Sequence, residues 1–134
     1  MSAFIYVWRY CYSLKILDIN NWNTSNWNIT TNNSTNFNYL SSLRFCYLPS
    51  SIPTVNNIGS PSGNTEMIYY SSYDIGYSFN LSSSPCLTTE SLRTIINRLP
   101  TVTSEKTITL GAQNLLKLTE SDIAIATNKG WTVA

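Results

Sequence analysis

The stretch SLKILDI at residues 13–19 returns with the same apolar spacing as SLRFCYL at residues 42–48. The apolar positions of the two copies are Leu14, Leu17 and Ile19, and then Leu43, Cys46 and Leu48. In an extended chain neighbouring side chains alternate between two faces, so each copy predicts a short strand with its apolar residues on one face. One such unit cannot bury its apolar face alone, whereas stacked units share a core, and the pattern therefore indicates a repeat protein.

Further strands and a helix are predicted in the C-terminal half. The predicted strands are YSFNL at 77–81, KTITLG at 106–111 and WTV at 131–133. A helix is predicted to begin after Thr88 as N-cap, with Glu90 in its first turn, and to end before Pro100. Its apolar residues recur at i, i+3, i+4 and i+7, which is typical of an amphipathic helix with one buried face.

A second helix is predicted between residues 119 and 130. Thr119 is the expected N-cap, and Asp122 completes a Thr-x-x-Asp capping box. Lys129 is expected in the last turn, and Gly130 is expected to end the helix.

The surface is polar but carries little charge. Charged residues make up 11% of the chain, against roughly 25% in an average soluble domain, and the net charge is +1. This balance argues against a nucleic-acid partner, which requires a basic surface. Asn, Ser and Thr supply the polarity instead, and this suits neutral partners such as glycans or other protein surfaces. An AT-rich genome would produce the same composition through codon bias.

Residues that commonly carry catalysis or bind metals are scarce. The chain has no histidine, which excludes Ser-His-Asp and Cys-His catalysis within it and removes the commonest zinc ligand. Its three cysteines lie far apart and form no C-x-x-C motif. We therefore expect no metal, no cofactor and no enzymatic activity.

The first twelve residues are rich in apolar and aromatic side chains. Arg9 and Lys15 lie within and after the apolar run, which is the reverse of a signal peptide, and the run is too short and interrupted to cross a bilayer. Two interpretations of residues 1–12 remain open. They could cover the exposed end of the repeat core, or they could contact a partner or a second copy of the chain.

The sequence resembles a known family in two regions. The stretch CYSLKILDINNWNTSN at 11–26 resembles the repeat unit of BspA-like leucine-rich repeat proteins, and SLRFCYL resembles a degraded copy of it. The stretches LTTESLRTIINRL, TITLGAQNLLKLT and ESDIAIATNKGWTVA are similar to the closing repeats of such proteins from gut bacteria and their phages.

The resemblance implies a fold of the α/β class. The expected fold is a leucine-rich-repeat solenoid with a parallel sheet on its concave face, irregular returns, and two helices on its convex side in the C-terminal half. The expected organisation is a single domain over 1–134, with 1–12 as cap or contact segment, 13–83 as irregular repeats and 84–134 as closing strand-helix repeats.

The resemblance also implies a role in recognition. The expected function is adhesion or binding to a surface glycan or protein, outside the cell, on a cell surface or on a virion, without insertion into a membrane. The alternative is a structural or assembly component of a phage virion or tail, which would associate with itself or with other proteins.

Candidate binding residues follow from the strand pattern, because side chains between the apolar positions point away from the core. They are Lys15, Asp18, Arg44, Phe45, Tyr47, Tyr77, Asn80, Thr107 and Thr109. Phe45, Tyr47 and Tyr77 are expected to form an aromatic patch beside Arg44 and Asp18. Such a patch can stack on sugars or anchor a protein, and it can equally serve as packing between strands.

Overall fold

The computed structural model describes residues 10–22, 40–48, 64–72 and 75–134, which form a mixed α/β structure with two small parallel sheets. Sheet A contains β1 (Ile16–Asp18), β2 (Phe45–Tyr47) and β3 (Tyr69–Ser71), in that order. Sheet B contains β4 (Phe79–Asn80), β5 (Lys106–Thr109) and β6 (Trp131–Val133), also in chain order. The helices of the described residues are α1 (Thr89–Arg98), α2 (Ala112–Leu115) and α3 (Glu120–Thr127). The returns expected after the first two strands, and residues 1–9, lie outside the described residues.

Sheet A confirms the two predicted strands as parallel neighbours and adds a third. Leu17, Cys46 and Tyr70 occupy the same register position on β1, β2 and β3, and all three side chains are buried. The third strand was not predicted, although Met67, Tyr70 and Ser72 repeat the spacing of the first two copies. Tyr70 and Ser72 occupy positions that hold more apolar residues in the first two copies, so the alternation of apolar and polar residues is weak in the third.

The predicted strands do not share one sheet, which corrects the expected architecture. YSFNL and KTITLG contribute β4 and β5 to sheet B, whereas SLKILDI and SLRFCYL contribute to sheet A. The reason lies in the connection 72–78 between β3 and β4. A parallel crossover within one sheet needs about a dozen residues or more, and this connection is shorter. The chain therefore begins a second sheet.

Helix α1 lies along the edge of sheet A, which differs from the expected position on the back of the sheet. The Ser91 hydroxyl accepts a hydrogen bond from the Tyr70 backbone N–H (2.9 Å) and donates one to the Tyr70 carbonyl (3.0 Å). The backbone N–H of Thr88 donates to the carbonyl of Ile68 at 2.9 Å. One buried serine thus satisfies two backbone groups that a fourth strand would otherwise pair, and it ends the sheet without an open edge.

Replacing this serine tests the role of the edge contact. We expect Ser91→Ala to lower the free energy of unfolding by roughly 1–3 kcal/mol, because the Tyr70 N–H and C=O lose their partner where water cannot replace it. Urea unfolding followed by circular dichroism measures the change. The control is Ser121→Ala on the exposed side of α3, expected within about 0.5 kcal/mol of the unmodified protein. Equal stability of the two variants would contradict the edge role.

Both predicted helix starts are confirmed by their capping hydrogen bonds. The Thr88 hydroxyl accepts from the Ser91 N–H, and Leu92, Ile95 and Ile96 of α1 are buried. Thr119 and Asp122 form the complete capping box of α3.

The turn that follows α3 requires glycine at position 130. Gly130 adopts a φ of +86°, and a Cβ there would lie 2.7 Å from the Val102 carbonyl oxygen, so both conformation and space require glycine. The prediction for Lys129 is wrong, because α3 ends at Thr127 with Asn128 as C-cap. The Lys129 Nζ instead donates to the Ile96 and Asn97 carbonyls at the C-terminal end of α1, where a cation is favoured.

An ion pair joins α1 to α3. Arg93 donates from Nε to Asp122 Oδ1 at 3.0 Å and from its terminal nitrogen to Oδ2 at 3.2 Å. The backbone N–H and hydroxyl of Thr119 also donate to this carboxylate. These Thr119 hydrogen bonds, and then Arg93, hold the pKa of Asp122 below its ordinary value. One carboxylate therefore caps its own helix and fixes the neighbouring one.

One tight turn recurs along the chain. In each instance a carbonyl accepts a hydrogen bond from the N–H three residues later, at 2.9–3.4 Å. Five of the residues that accept such a bond define the recurring turn, namely Cys11, Leu40, Asn64, Ser84 and Asn114. The last four are fully buried, so the turns face the interior.

Successive turns and strands are linked by hydrogen bonds. Arg44 N–H donates to the Lys15 carbonyl, and Ile68 N–H donates to the Arg44 carbonyl. Further along, the Asn114 side-chain N–H₂ donates to the Ser84 and Leu110 carbonyls, both at 3.0 Å. Buried apolar side chains from both sheets form one core cluster, with Trp131 the largest fully enclosed residue on the side of sheet B.

Candidate functional site

The outer face of sheet A is the surface opposite the buried row Leu17, Cys46 and Tyr70. Parallel pairing without a register shift places side chains of adjacent strands directly side by side, about 4.8 Å apart. Two in-register rows belong to this face, namely Ile16, Phe45 and Tyr69, and then Asp18, Tyr47 and Ser71, of which Ser71 is buried.

Aromatic side chains form the middle of this face. The rings of Tyr47 and Tyr69 lie with centroids 5.3 Å apart and planes tilted by 35°. Phe45 is half-buried beside them, and Ile16 is 57% exposed. Rings held by one another and by the strands lose little freedom when a ligand binds, so the surface is suited to stacking against a flat or ring-shaped partner.

Charged side chains flank the aromatic rows. Lys15 and Arg44 precede Ile16 and Phe45 on adjacent strands, and both are exposed. Neither forms an ion pair within the described part of the chain. Asp18 lies at the other end of β1, where its Oδ1 accepts a hydrogen bond from the Asn20 N–H at 3.0 Å. Two exposed cations thus lie where β1 and β2 begin, and one carboxylate lies where β1 ends.

Five of the predicted binding residues come together on or beside this face. They are Lys15, Asp18, Arg44, Phe45 and Tyr47. The other four, Tyr77, Asn80, Thr107 and Thr109, belong to sheet B or the residues leading into it, so the predicted single surface is corrected.

The sheet-B residues have contacts of their own. Tyr77 is half-buried against the core, which removes it from the expected aromatic patch. The Asn80 Oδ1 accepts from the Ser82 N–H at 2.8 Å, and the Thr107 N–H donates to the Ser78 hydroxyl at 2.9 Å. Phe79 and Ile108, which separate these polar residues along the strands, face the core.

Tyr69 takes the place in the aromatic patch that sequence reasoning assigned to Tyr77. The signal for it is the third copy of the spacing, which starts at Met67 and places Tyr69 where Phe45 stands in the second copy. Recognising Tyr70 as a core residue would have identified Tyr69 as an outward neighbour.

The layer beneath the face is closed to water. Burial raises the pKa of Cys46 to about 12, so its thiol stays protonated and unreactive at neutral pH. Burial also raises the pKa of Tyr70 well above its ordinary value, with Cys46 and Tyr77 contributing further. The outer side chains of the site therefore lie on a layer of buried residues.

A shallow cleft of about 350 Å³ opens near β6. Val102, Thr103 and Trp131 contribute to its lining, and Glu105 supplies its one carboxylate. Glu105 accepts a hydrogen bond from the Thr132 hydroxyl at 2.6 Å. A single exposed carboxylate without a second acid or a base beside it does not form a general acid-base pair.

The described residues contain neither a cluster of metal-binding side chains nor a helix that could cross a membrane. Within them, no three or more Asp, Glu or Cys side chains come together as a potential metal site. None of the helices they form has the length and apolar character that a bilayer crossing requires. Comparison of the chain with protein-family models, curated proteins and solved structures finds no match.

Proposed function

We propose that this chain is a non-enzymatic recognition module that binds a surface glycan or protein through the outer face of sheet A. The observation that carries the proposal is the Tyr47–Tyr69 ring pair, with centroids 5.3 Å apart, next to Phe45 and the exposed Ile16, which lie in register with Tyr69. Aromatic side chains with polar neighbours contribute most of the binding energy at many recognition surfaces.

The scaffold we propose is a leucine-rich-repeat solenoid of the BspA-like type. Three features support it: parallel strands in register, the turn that recurs five times, and backbone hydrogen bonds from each repeat to the next. In this arrangement α1 occupies the position that follows β3, with Thr88 continuing the series Lys15, Arg44 and Ile68. Each repeat would then bury its apolar face against its neighbour.

The proposed setting is outside the cell, on a cell surface or on a virion. A surface whose polarity comes from Asn, Ser and Thr, with 11% charged residues, supports contact with neutral or weakly charged surfaces. The resemblance of residues 11–26 and 86–134 to BspA-like repeats supports the same setting.

The binding proposal is tested with an array of neutral and acidic glycans, followed by calorimetry with the best-bound glycan. We expect Tyr47→Ala and Tyr69→Ala each to weaken binding about tenfold, because each removes one stacking ring. The matched control is Thr109→Ala on sheet B, which should bind like the unmodified protein. Full affinity in both tyrosine variants, with their circular dichroism unchanged, would refute the outer face as the binding site.

A second candidate function is assembly through the N-terminal repeat. Tyr10 and Tyr12 are 49% and 54% exposed with ring centroids 5.9 Å apart, and Trp22, which follows β1, is 48% exposed. Such an exposed aromatic group favours self-association of residues 1–12 or contact with another protein. Light scattering during size-exclusion chromatography would show a dimer or larger species that Tyr12→Ser dissociates. A monomer at all concentrations would rule out self-association.

A further inference from the structure

We propose that the ligand of the outer face of sheet A is a short acidic oligosaccharide whose carboxylates bind Lys15 and Arg44 while its rings stack on Tyr47 and Tyr69. This inference rests on the proposed function and specifies its ligand. The inference is drawn from the positions of the charged residues near the face, in addition to its aromatic side chains.

The two cations are neighbours at the end of the sheet where β1 and β2 begin. The Arg44 N–H donates to the Lys15 carbonyl at 2.9 Å, so the two residues lie side by side immediately before these strands. Both side chains are exposed and unpaired within the described residues. The planar guanidinium of Arg44 binds a carboxylate through two parallel hydrogen bonds, and Lys15 adds a second positive charge beside it.

The one carboxylate of the face lies at the opposite end. Asp18 ends β1 and is three residues beyond Lys15, which immediately precedes this strand, about 10 Å along the extended chain. Its Oδ1 is already bonded to the Asn20 N–H, so it remains directed to its own turn. An anionic group is therefore attracted to the end with Lys15 and Arg44, and the rings between the two ends receive the rest of the ligand.

The size of the face selects a small ligand. Three strands span about 10 Å across, and the distance from Lys15 to Asp18 is similar, which gives roughly 100 Å². A standard protein interface covers about 800 Å² on each partner. A face of this size matches two or three sugar rings.

The other sheet lacks these features. The corresponding outer residues of sheet B are Asn80, Thr107, Thr109 and Thr132, with no aromatic side chain among them. Stacking and charge therefore coincide on sheet A only, within the described part of the chain.

The test compares two trisaccharides that differ only in charge. Trigalacturonic acid is the acidic probe, and its full methyl ester has the same rings without the carboxylates. We expect the unmodified protein to bind the acid at least tenfold more tightly in calorimetry. Raising NaCl from 50 to 500 mM should reduce this preference, because salt screens exposed charges.

The variant Lys15→Gln with Arg44→Gln removes both cations and keeps the rings. We expect it to bind the acid no better than the ester, with affinity for the ester unchanged. The control is Lys106→Gln at the start of β5 on sheet B, which should keep the full preference for the acid.

Four results would overturn the inference, the first three with the trisaccharides. They are equal affinity for acid and ester, an unchanged preference in the double variant, and binding of neither trisaccharide at millimolar concentration. Binding of oligo-dT as tight as that of the acid would also overturn it, since a nucleic acid supplies both anions and rings. The proposed function stands or falls separately, on whether Tyr47→Ala and Tyr69→Ala weaken binding of the best glycan of the array.

Discussion

Trp131→Ala is expected to lower the free energy of unfolding by about 3–5 kcal/mol, the largest effect of any single change considered for this chain. The side chain is 2% exposed and fills the core beside sheet B, where its ring meets Phe79 edge-on at 6.0 Å. Its Nε1–H also donates to the Pro100 carbonyl at 2.8 Å. The substitution opens a cavity and removes the donor that satisfies this carbonyl.

Two further variants separate the contributions at Trp131. Trp131→Phe keeps most of the ring and loses the Nε1–H donor, so we expect a loss smaller than that of the alanine variant. Trp22→Ala, at a tryptophan that is 48% exposed, is the matched control and should change stability far less. Urea unfolding monitored by far-ultraviolet circular dichroism measures all three. Comparable losses at Trp22 and Trp131 would contradict the assigned core.

Asn114→Leu is expected to have the second largest effect, lowering the free energy of unfolding by about 2–4 kcal/mol. Leucine has nearly the shape of asparagine, so the change removes hydrogen bonds while it preserves packing. The fully buried Asn114 donates to the carbonyls of Ser84 and Leu110, and its Oδ1 accepts from Lys117 Nζ at 3.1 Å. The Leu110 carbonyl then loses its side-chain donor, whereas the Ser84 carbonyl keeps only the longer bond from the Leu87 N–H at 3.4 Å. A buried carbonyl without a donor costs roughly 1–3 kcal/mol.

The recurring turn offers an internal control for this prediction. Asn64 occupies the same turn position, is also fully buried, and its side chain has no hydrogen-bond partner among the described residues. Leu40 already fills this position one turn earlier. Asn64→Leu is therefore expected to be neutral or stabilising in the same urea experiment. A loss at Asn64 equal to that at Asn114 would show that the hydrogen bonds are not the cause.

The element that ends sheet A also sets the size of the proposed site. Ser91 of α1 pairs with the outer edge of β3, so no fourth strand extends the two rows of the outer face. The ligand surface is limited to three strands on this side. Ser91 therefore both attaches α1 to sheet A and limits the width of the binding face.

Local elements with a strong local signal were predicted well. The helices follow from capping residues Thr88 and Thr119, because a side-chain oxygen that satisfies free N–H groups acts within one turn of chain. The first two strands follow from their apolar spacing. Strand β3 and helix α2 were missed, since Tyr70 and Ser72 weaken the strand pattern and a four-residue helix has almost no periodicity.

Only part of the site could be predicted, because the pattern within a strand does not show which strands pair. Alternation identifies Phe45 and Tyr47 as outward residues, because it depends on neighbours in the same strand. Whether Tyr69 or Tyr77 joins them depends on which strands are paired, and periodicity carries no information on pairing between strands.

The sequence by itself determined the repeated strand, the two capped helices and the low surface charge, because each depends on residues a few positions apart. Tertiary structure alone decided that the strands divide into two sheets, since the pattern within one strand carries no information on which other strand pairs with it. It also decided that Ser91 closes the edge of sheet A and that Tyr69 lies against Tyr47. These contacts join residues more than twenty positions apart, and only the packed chain brings them within reach of one another.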